Sequence, residues 1–173
     1  MSNQPIKAGS KEFTKEPFHL IQSNGMDKRY VVSLRDKVRV RTLLTGFINQ
    51  SKNDIQIKIR DLDNPKNPID YSGSLGNAKL HELMTKHEDV IFHNGYHDLM
   101  IRNPDSGDYV AFDEHGLIFI YTNQDYSEIL KNLEAEYKPD EKLIYEFNHW
   151  HYCLPKGREK LADMIKDFEL KKE

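Results

Sequence analysis

The stretch DVIFHNGYHDLMIRNPDSGDYVAFDEHGLIFIY, Asp89 to Tyr121, decides how the fold is read. Its apolar runs are Val90-Ile91-Phe92, Leu99-Met100-Ile101, Tyr109-Val110-Ala111-Phe112 and Leu117-Ile118-Phe119-Ile120-Tyr121. Between them lie Asn94-Gly95, Asn103-Pro104-Asp105-Ser106-Gly107 and Asp113-Glu114-His115-Gly116. Asn and Gly tolerate the positive φ that tight hairpin turns need, so the spacing predicts an antiparallel meander of four strands.

Downstream, Asp125 and Glu128 have capping-box spacing, and Tyr126, Ile129, Leu130, Leu133 and Tyr137 share a stripe, which predicts a helix ending before Pro139. Leu143 to Leu154 carries Tyr145, Phe147, Trp150 and Tyr152 and reads as a strand. Pro155 then opens a last helix with Leu161, Met164, Ile165 and Phe168 on its apolar face.

Upstream, Leu80, Leu83, Met84 and His87 mark a helix from Asn77 to Lys86, with the Pro- and Gly-containing segment from Asp61 to Gly76 as a loop before it. Residues 37–60 read as a hairpin: Val38 and Val40 alternate with Lys37, Arg39 and Arg41, while Ile55, Ile57 and Ile59 alternate with Lys58 and Arg60. Val40, Leu43, Leu44 and Phe47 also fit a helix over 34–49 that Ser33 with Asp36 would cap; the β-branched residues and Gly46 favour the strand. Residues 1–27 show little periodicity and are expected to be loosely ordered, leaving 28–173 as a single domain. The fold class is α+β, an antiparallel meander sheet of about six to eight strands packed against two or three helices.

Composition narrows the function classes. The hydrophobic set is 38% and the aromatic share 10%, too much for a disordered chain. There is no apolar run of bilayer length and no signal-peptide pattern near the N-terminus, so a cytoplasmic location without membrane contact is expected. Cys153 is the only cysteine, which excludes an intrachain disulfide and a multi-cysteine metal knuckle. The net charge of −3 hides a split: residues 28–60 hold nine Lys and Arg against two Asp, and residues 61–173 hold thirteen against twenty-three acids.

Three groups of residues bear on chemistry. His149 and His151, two apart on a strand, share a face and can converge on a divalent metal. A third ligand would have to come from elsewhere, with Asp98, Asp108, Asp113, Glu114 and His115 as candidates. On the plain alternative, Trp150 and Tyr152 face the core and the histidines face solvent. Cys153 shares the face of His151 but lacks an orienting third group. His93 and His97 have ligand spacing only if helical, and the Asn94-Gly95 turn places them on opposite faces.

The second group, Lys37, Arg39, Arg41, Lys58 and Arg60, would make a basic hairpin face. That face lacks aromatic groups and the chain is acidic overall, so nucleic acid is not the expected partner. The third group is the acidic meander turns, Asp105, Asp108, Asp113 and Glu114, which would meet a basic protein partner. With no catalytic signature and no cofactor motif, the expectation ranks a non-enzymatic binding module first, of inhibitor or immunity type. A metal-dependent hydrolase around His149 and His151 is second, and nucleic-acid binding third.

Overall fold

The structure, a computed structural model, describes residues 6–24 and 27–173, with the side chains at 24 and 27 left out. In chain order the strands are β1 (Ala8–Ser10), β2 (Phe18–Asn24), β3 (Asp27–Ser33), β4 (Ile55–Asp61), β5 (Ile69–Leu75), β6 (His97–Arg102), β7 (Tyr109–Phe112), β8 (Ile118–Tyr121), β9 (Glu136–Tyr137), β10 (His149–His151) and β11 (Lys171–Lys172). The helices are α1 (Lys37–Ile48), α2 (Asn77–Lys86), α3 (Glu88–His93), α4 (Ser127–Asn132) and α5 (Gly157–Asp167). Among the described residues, nine strands form one sheet in the order β11-β5-β4-β6-β7-β8-β3-β2-β9, antiparallel except where β2 meets β9. β1 and β10 pair as a separate antiparallel ribbon.

The meander β6-β7-β8 forms as its turn chemistry predicts, with Leu99 opposite Phe112 and Phe112 opposite Ile118. Gly107 and Gly116, both at φ 79°, sit in its two turns. This register places Leu99, Ile101, Val110, Phe112, Ile118 and Ile120 on one face together with Ile57, Ile59, Tyr30 and Val32, all buried. Leu44 and Phe47 of α1, Leu80 and Met84 of α2, and Leu161 and Met164 of α5 cover them. Each such burial contributes about 1.5–3 kcal/mol. On the other face, a smaller cluster of Phe13, Phe18, Leu20, Val31, Leu117, Leu143 and Ile144 covers the β2-β3-β8 end. On β4 to β7 the outward residues are not buried: Lys58, Met100, Tyr109 and Ala111 are partly exposed, and Gln56 and Arg102 are exposed.

Several segments differ from the expectation. Residues 37–48 are helix: Asp36 caps α1 by accepting from the Arg39 amide at 2.9 Å. The alternation that suggested a strand is incidental, since Val38 is 71% exposed while Val40 is fully buried. Val90, Ile91 and Phe92 lie in α3, all buried. Asn94-Gly95 is therefore not a hairpin turn. Gly95 donates its amide to the Tyr152 carbonyl, and a Cβ there would stand 2.3 Å from the Lys7 carbonyl oxygen, so close approach of backbone explains the glycine.

Ile69–Leu75, expected as loop, is a strand paired along its length with β4; Gly73 leaves room for Leu170. The helix after Asp125 stops at Asn132, and Glu136–Tyr137 form β9 instead. Residues 143–154 divide into a 3₁₀ turn, Ile144–Glu146, and β10. Of the segment expected to be loose, residues 8–10 and 18–24 are strands, with Ala8 and Phe18 fully buried; residues 1–5 lie outside the described residues. Among the described residues no helix is long and apolar enough to cross a membrane.

Candidate metal centre

β10 is held at the end of the meander by the N-terminal segment. Ala8 to Ser10 pair with His151 to His149, and the Tyr152 amide donates to the Lys7 carbonyl at 2.7 Å. Arg35 Nη2 donates to the Ala8 carbonyl at 3.3 Å. The Lys7 ammonium, fully buried, donates to the His97 carbonyl at 2.8 Å. This ribbon brings His149 and His151 against the β7-β8 turn. There Asp113 fixes the loop, its Oδ1 accepting from the amides of His115 at 3.0 Å and Leu117 at 2.8 Å. Gly116 completes the turn beneath Ile6, which a Cβ would approach to 2.7 Å.

The consequence is a cluster of three half-buried imidazoles, His115, His149 and His151, with one ring nitrogen from each within 4.8 Å of the others. Their ring centres stand 4.9, 4.9 and 5.3 Å apart. A ring bound to zinc has its centre about 3.2 Å from the ion, so three rings at tetrahedral angles stand about 5.2 Å apart, close to this spacing.

The Nδ1 nitrogens are committed as well. His149 Nδ1 donates to the Phe147 carbonyl at 2.9 Å, and His151 Nδ1 donates to the Glu114 carbonyl at 3.1 Å. His115 Nδ1 faces Asp113 Oδ2 at 3.2 Å and Glu114 Oε1 at 3.4 Å. Carbonyl and carboxylate oxygens only accept, so each Nδ1 carries a hydrogen, and in the neutral ring Nε2 is the nitrogen left to bind a metal. That is the arrangement of metal-bound histidines, whose second nitrogen is tied to a carbonyl or carboxylate.

The surrounding charges favour a cation. Burial lowers the His115 pKa, but the hydrogen bond with Asp113 and the charges of Asp113, Glu114 and Asp98 outweigh it, and the net shift is upward. His151 is shifted down by burial and by the neighbouring His115 and His149, so it gives up its proton easily. Asp98 accepts from the Glu114 amide at 2.9 Å; burial, then its hydrogen bond and charge repulsion with Glu114, raise it to about 7. Burial lowers Lys7 to about 8 against the pull of Asp98, Asp113 and Glu114. Tyr145 and Tyr96, both partly exposed, flank the rings of His115 and His151.

Of the expected ligands, His149 and His151 are joined by His115, one of five candidates for the third place. Asp113 and Glu114 surround His115 and form a second grouping with it within 4.8 Å. Asp98 stands behind Glu114. Asp108 is buried elsewhere, accepting from Gln124. Trp150 does not face the core; it is 43% exposed and packs over Gly9 beside Tyr152. Cys153 is exposed and outside the cluster. His93 ends α3 and His97 begins β6, both buried, with His97 held neutral by burial and the Lys7 charge.

The other two groups are dispersed. With 37–48 helical, the five cations do not share a hairpin face, and all are ion-paired. Lys37 and Arg41 meet Glu88, Arg39 meets Asp36 and Glu134, Lys58 meets Asp70 and Glu173, and Arg60 meets Asp70. The acidic turns lie at opposite ends of the meander. Asp105 and Asp108 belong to the β6-β7 turn, where Asp105 accepts from Ser51, the Lys52 amide and Asn53. Asp113 and Glu114 belong to the β7-β8 turn.

Sequence reasoning missed Lys7, Arg35 and Gly95, which seat the ribbon. No local pattern marks them, because each acts through a backbone contact distant in sequence. No family model, curated protein or solved structure matches this chain.

Proposed function

We propose that the chain is a metal-dependent hydrolase whose centre holds one divalent transition-metal ion, of zinc character, on His115, His149 and His151. The observation that carries this reading is the convergence of three imidazoles whose Nδ1 atoms are all tied to oxygen acceptors. Three protein ligands leave a fourth position for water or substrate, the pattern of catalytic rather than structural zinc. An ion there would lower the pKa of a bound water to about 7 and supply a nucleophile at neutral pH. Asp113 orients His115, the Glu114 backbone orients His151, and the Asp113 and Glu114 carboxylates, 3.2 and 3.4 Å from His115 Nδ1, are the bases at hand to receive a proton. Imidazole donors fit zinc, copper, iron or nickel better than magnesium or calcium, which take oxygen ligands.

The test is native mass spectrometry followed by hydrolysis of an activated ester and an activated phosphodiester. The expected result is one bound ion and turnover lost in His149→Ala. An ion bound without turnover of either compound would reduce the reading to metal binding alone. An apo protein at equimolar zinc would return the inhibitor-type binding module to first place. That module would then be sought through salt-sensitive association with a basic partner.

A further inference from the structure

A groove of about 250 Å³ runs between α1 and α4, and none of the residues lining it belongs to the metal centre. Thr42 and Gly46 of α1 and Gln50 just beyond it form one row, four residues apart, with Leu43 and Phe47 beside them. Tyr126, Ile129, Asn132 and Leu133 make the opposite wall. Leu43, Phe47 and Tyr126 are buried, while Ile129 stays 39% exposed, apolar surface that the fold itself does not cover. No Asp, Glu, Lys, Arg or His lines the groove.

Gly46 sits at the middle of the α1 row, inside a helix, where glycine is less stable than alanine. The fold gives no steric reason for it. A Cβ on Gly9, Gly73, Gly95 or Gly157 would meet a neighbour at 3.0 Å or closer, and Gly107 and Gly116 have positive φ. A Cβ on Gly46 would meet nothing within 4 Å, and its φ is not positive; among the described glycines it alone combines the two. What the missing side chain provides is room in the groove. At the polar end, the Tyr126 hydroxyl and the Gln50 side-chain amide meet only at 3.3 and 3.4 Å, against about 2.7–3.0 Å for a good hydrogen bond. Both groups can pair better with a third partner.

We propose that this groove binds a small uncharged amphiphile of the alkylphenol type, an apolar body with one hydroxyl end. A concave, mainly apolar site with a few placed polar groups is the usual form of a small-molecule site. An apolar cavity of about 150 Å³ takes a benzene ring, so this one has room for a ring with a short chain. The body would lie over Gly46 between Leu43, Phe47, Ile129 and Leu133, and the hydroxyl would reach Gln50 and Tyr126. A charged ligand would lose water there without meeting a counter-charge. The groove requires no metal, so this inference stands or falls apart from the hydrolase reading.

The test follows amide chemical shifts of the full chain, in excess chelator, on titration with 4-propylphenol, propylbenzene or 4-propylbenzoate. Saturable shifts confined to residues 42–50 and 126–133 are expected for the phenol, with a Kd below about 1 mM. Propylbenzene, lacking the hydroxyl, should bind about tenfold more weakly, and the benzoate should not bind. Gly46→Ala should raise the urea midpoint yet weaken phenol binding; Gly46→Leu should abolish it, and Lys79→Ala on α2 should not change it. No saturation by about 5 mM phenol, or a natively folded Gly46→Leu that binds as tightly as the wild type, overturns the proposal. So do shifts spread beyond the groove, or equal binding of the benzoate. A free chain that is dimeric until Gly46→Leu separates it would give the groove to a second copy and overturn the proposal as well.

Discussion

Asp113→Asn separates the two jobs of Asp113, building the turn and orienting His115. In the native turn Oδ1 accepts two backbone amides while Oδ2 faces His115 Nδ1. The single oxygen of Asn can keep both backbone bonds, but its amide nitrogen then faces Nδ1. Two donors cannot pair, so the imidazole shifts its hydrogen to Nε2, the nitrogen otherwise left to bind the metal. Losing an orienting partner of this kind costs about 10- to 100-fold in metal affinity, or about 1.4–2.7 kcal/mol. The cost to folding should stay below about 1.5 kcal/mol, because the turn bonds persist. Zinc titration against a chromophoric chelator reads the first quantity, and urea unfolding of the apo protein reads the second. Zinc affinity within about twofold of the wild type would refute the orienting role. A loss beyond about a thousandfold would instead make Asp113 a ligand.

Three further outcomes follow from the same geometry. Protons and metal compete for the same His nitrogens, and His115 is shifted above 6.5, so zinc affinity should climb as pH rises from about 6 to 8; an affinity independent of pH there would exclude imidazole ligands. Gly95→Ala puts a Cβ 2.3 Å from the Lys7 carbonyl oxygen and 3.0 Å from His151 Cβ, so it should unseat the β1-β10 ribbon; it should cost about 1–3 kcal/mol in urea unfolding and weaken zinc binding together. Asp70 is held at about 2, below its ordinary 3.8, first by the Arg60 hydrogen bond and then, against burial, by Lys58. A depressed carboxylate stabilises the fold above its unfolded pKa and loses that contribution as pH falls from about 4 through about 2, so Asp70→Asn should flatten this part of the stability-pH curve.

The parts legible in the sequence were those in which local pattern and tertiary environment agree. β6, β7 and β8 alternate and are joined by turns whose glycines adopt positive φ; α2 and α5 present their apolar stripes to the core. The misreadings arose where local signals compete. Lys37 to Arg41 alternates like a strand, yet burial follows Val40, Leu43, Leu44 and Phe47 at helical spacing, with an Asp36 cap. Val90-Ile91-Phe92 is too short a run to tell a buried helix from a strand, and Asn94-Gly95 tipped it the wrong way. The pair His149 and His151 was legible because strand geometry is local. The selection of His115 among five candidates was not, because it depends on how Lys7, Arg35 and Gly95 seat one ribbon against one turn.

Native mass spectrometry of the wild type and His115→Ala at equimolar zinc tests the central claim most directly. One zinc ion on the wild type and none on a folded His115→Ala is the predicted result. A wild type that stays apo, or a variant that keeps the ion with undiminished affinity, would contradict the three-histidine centre.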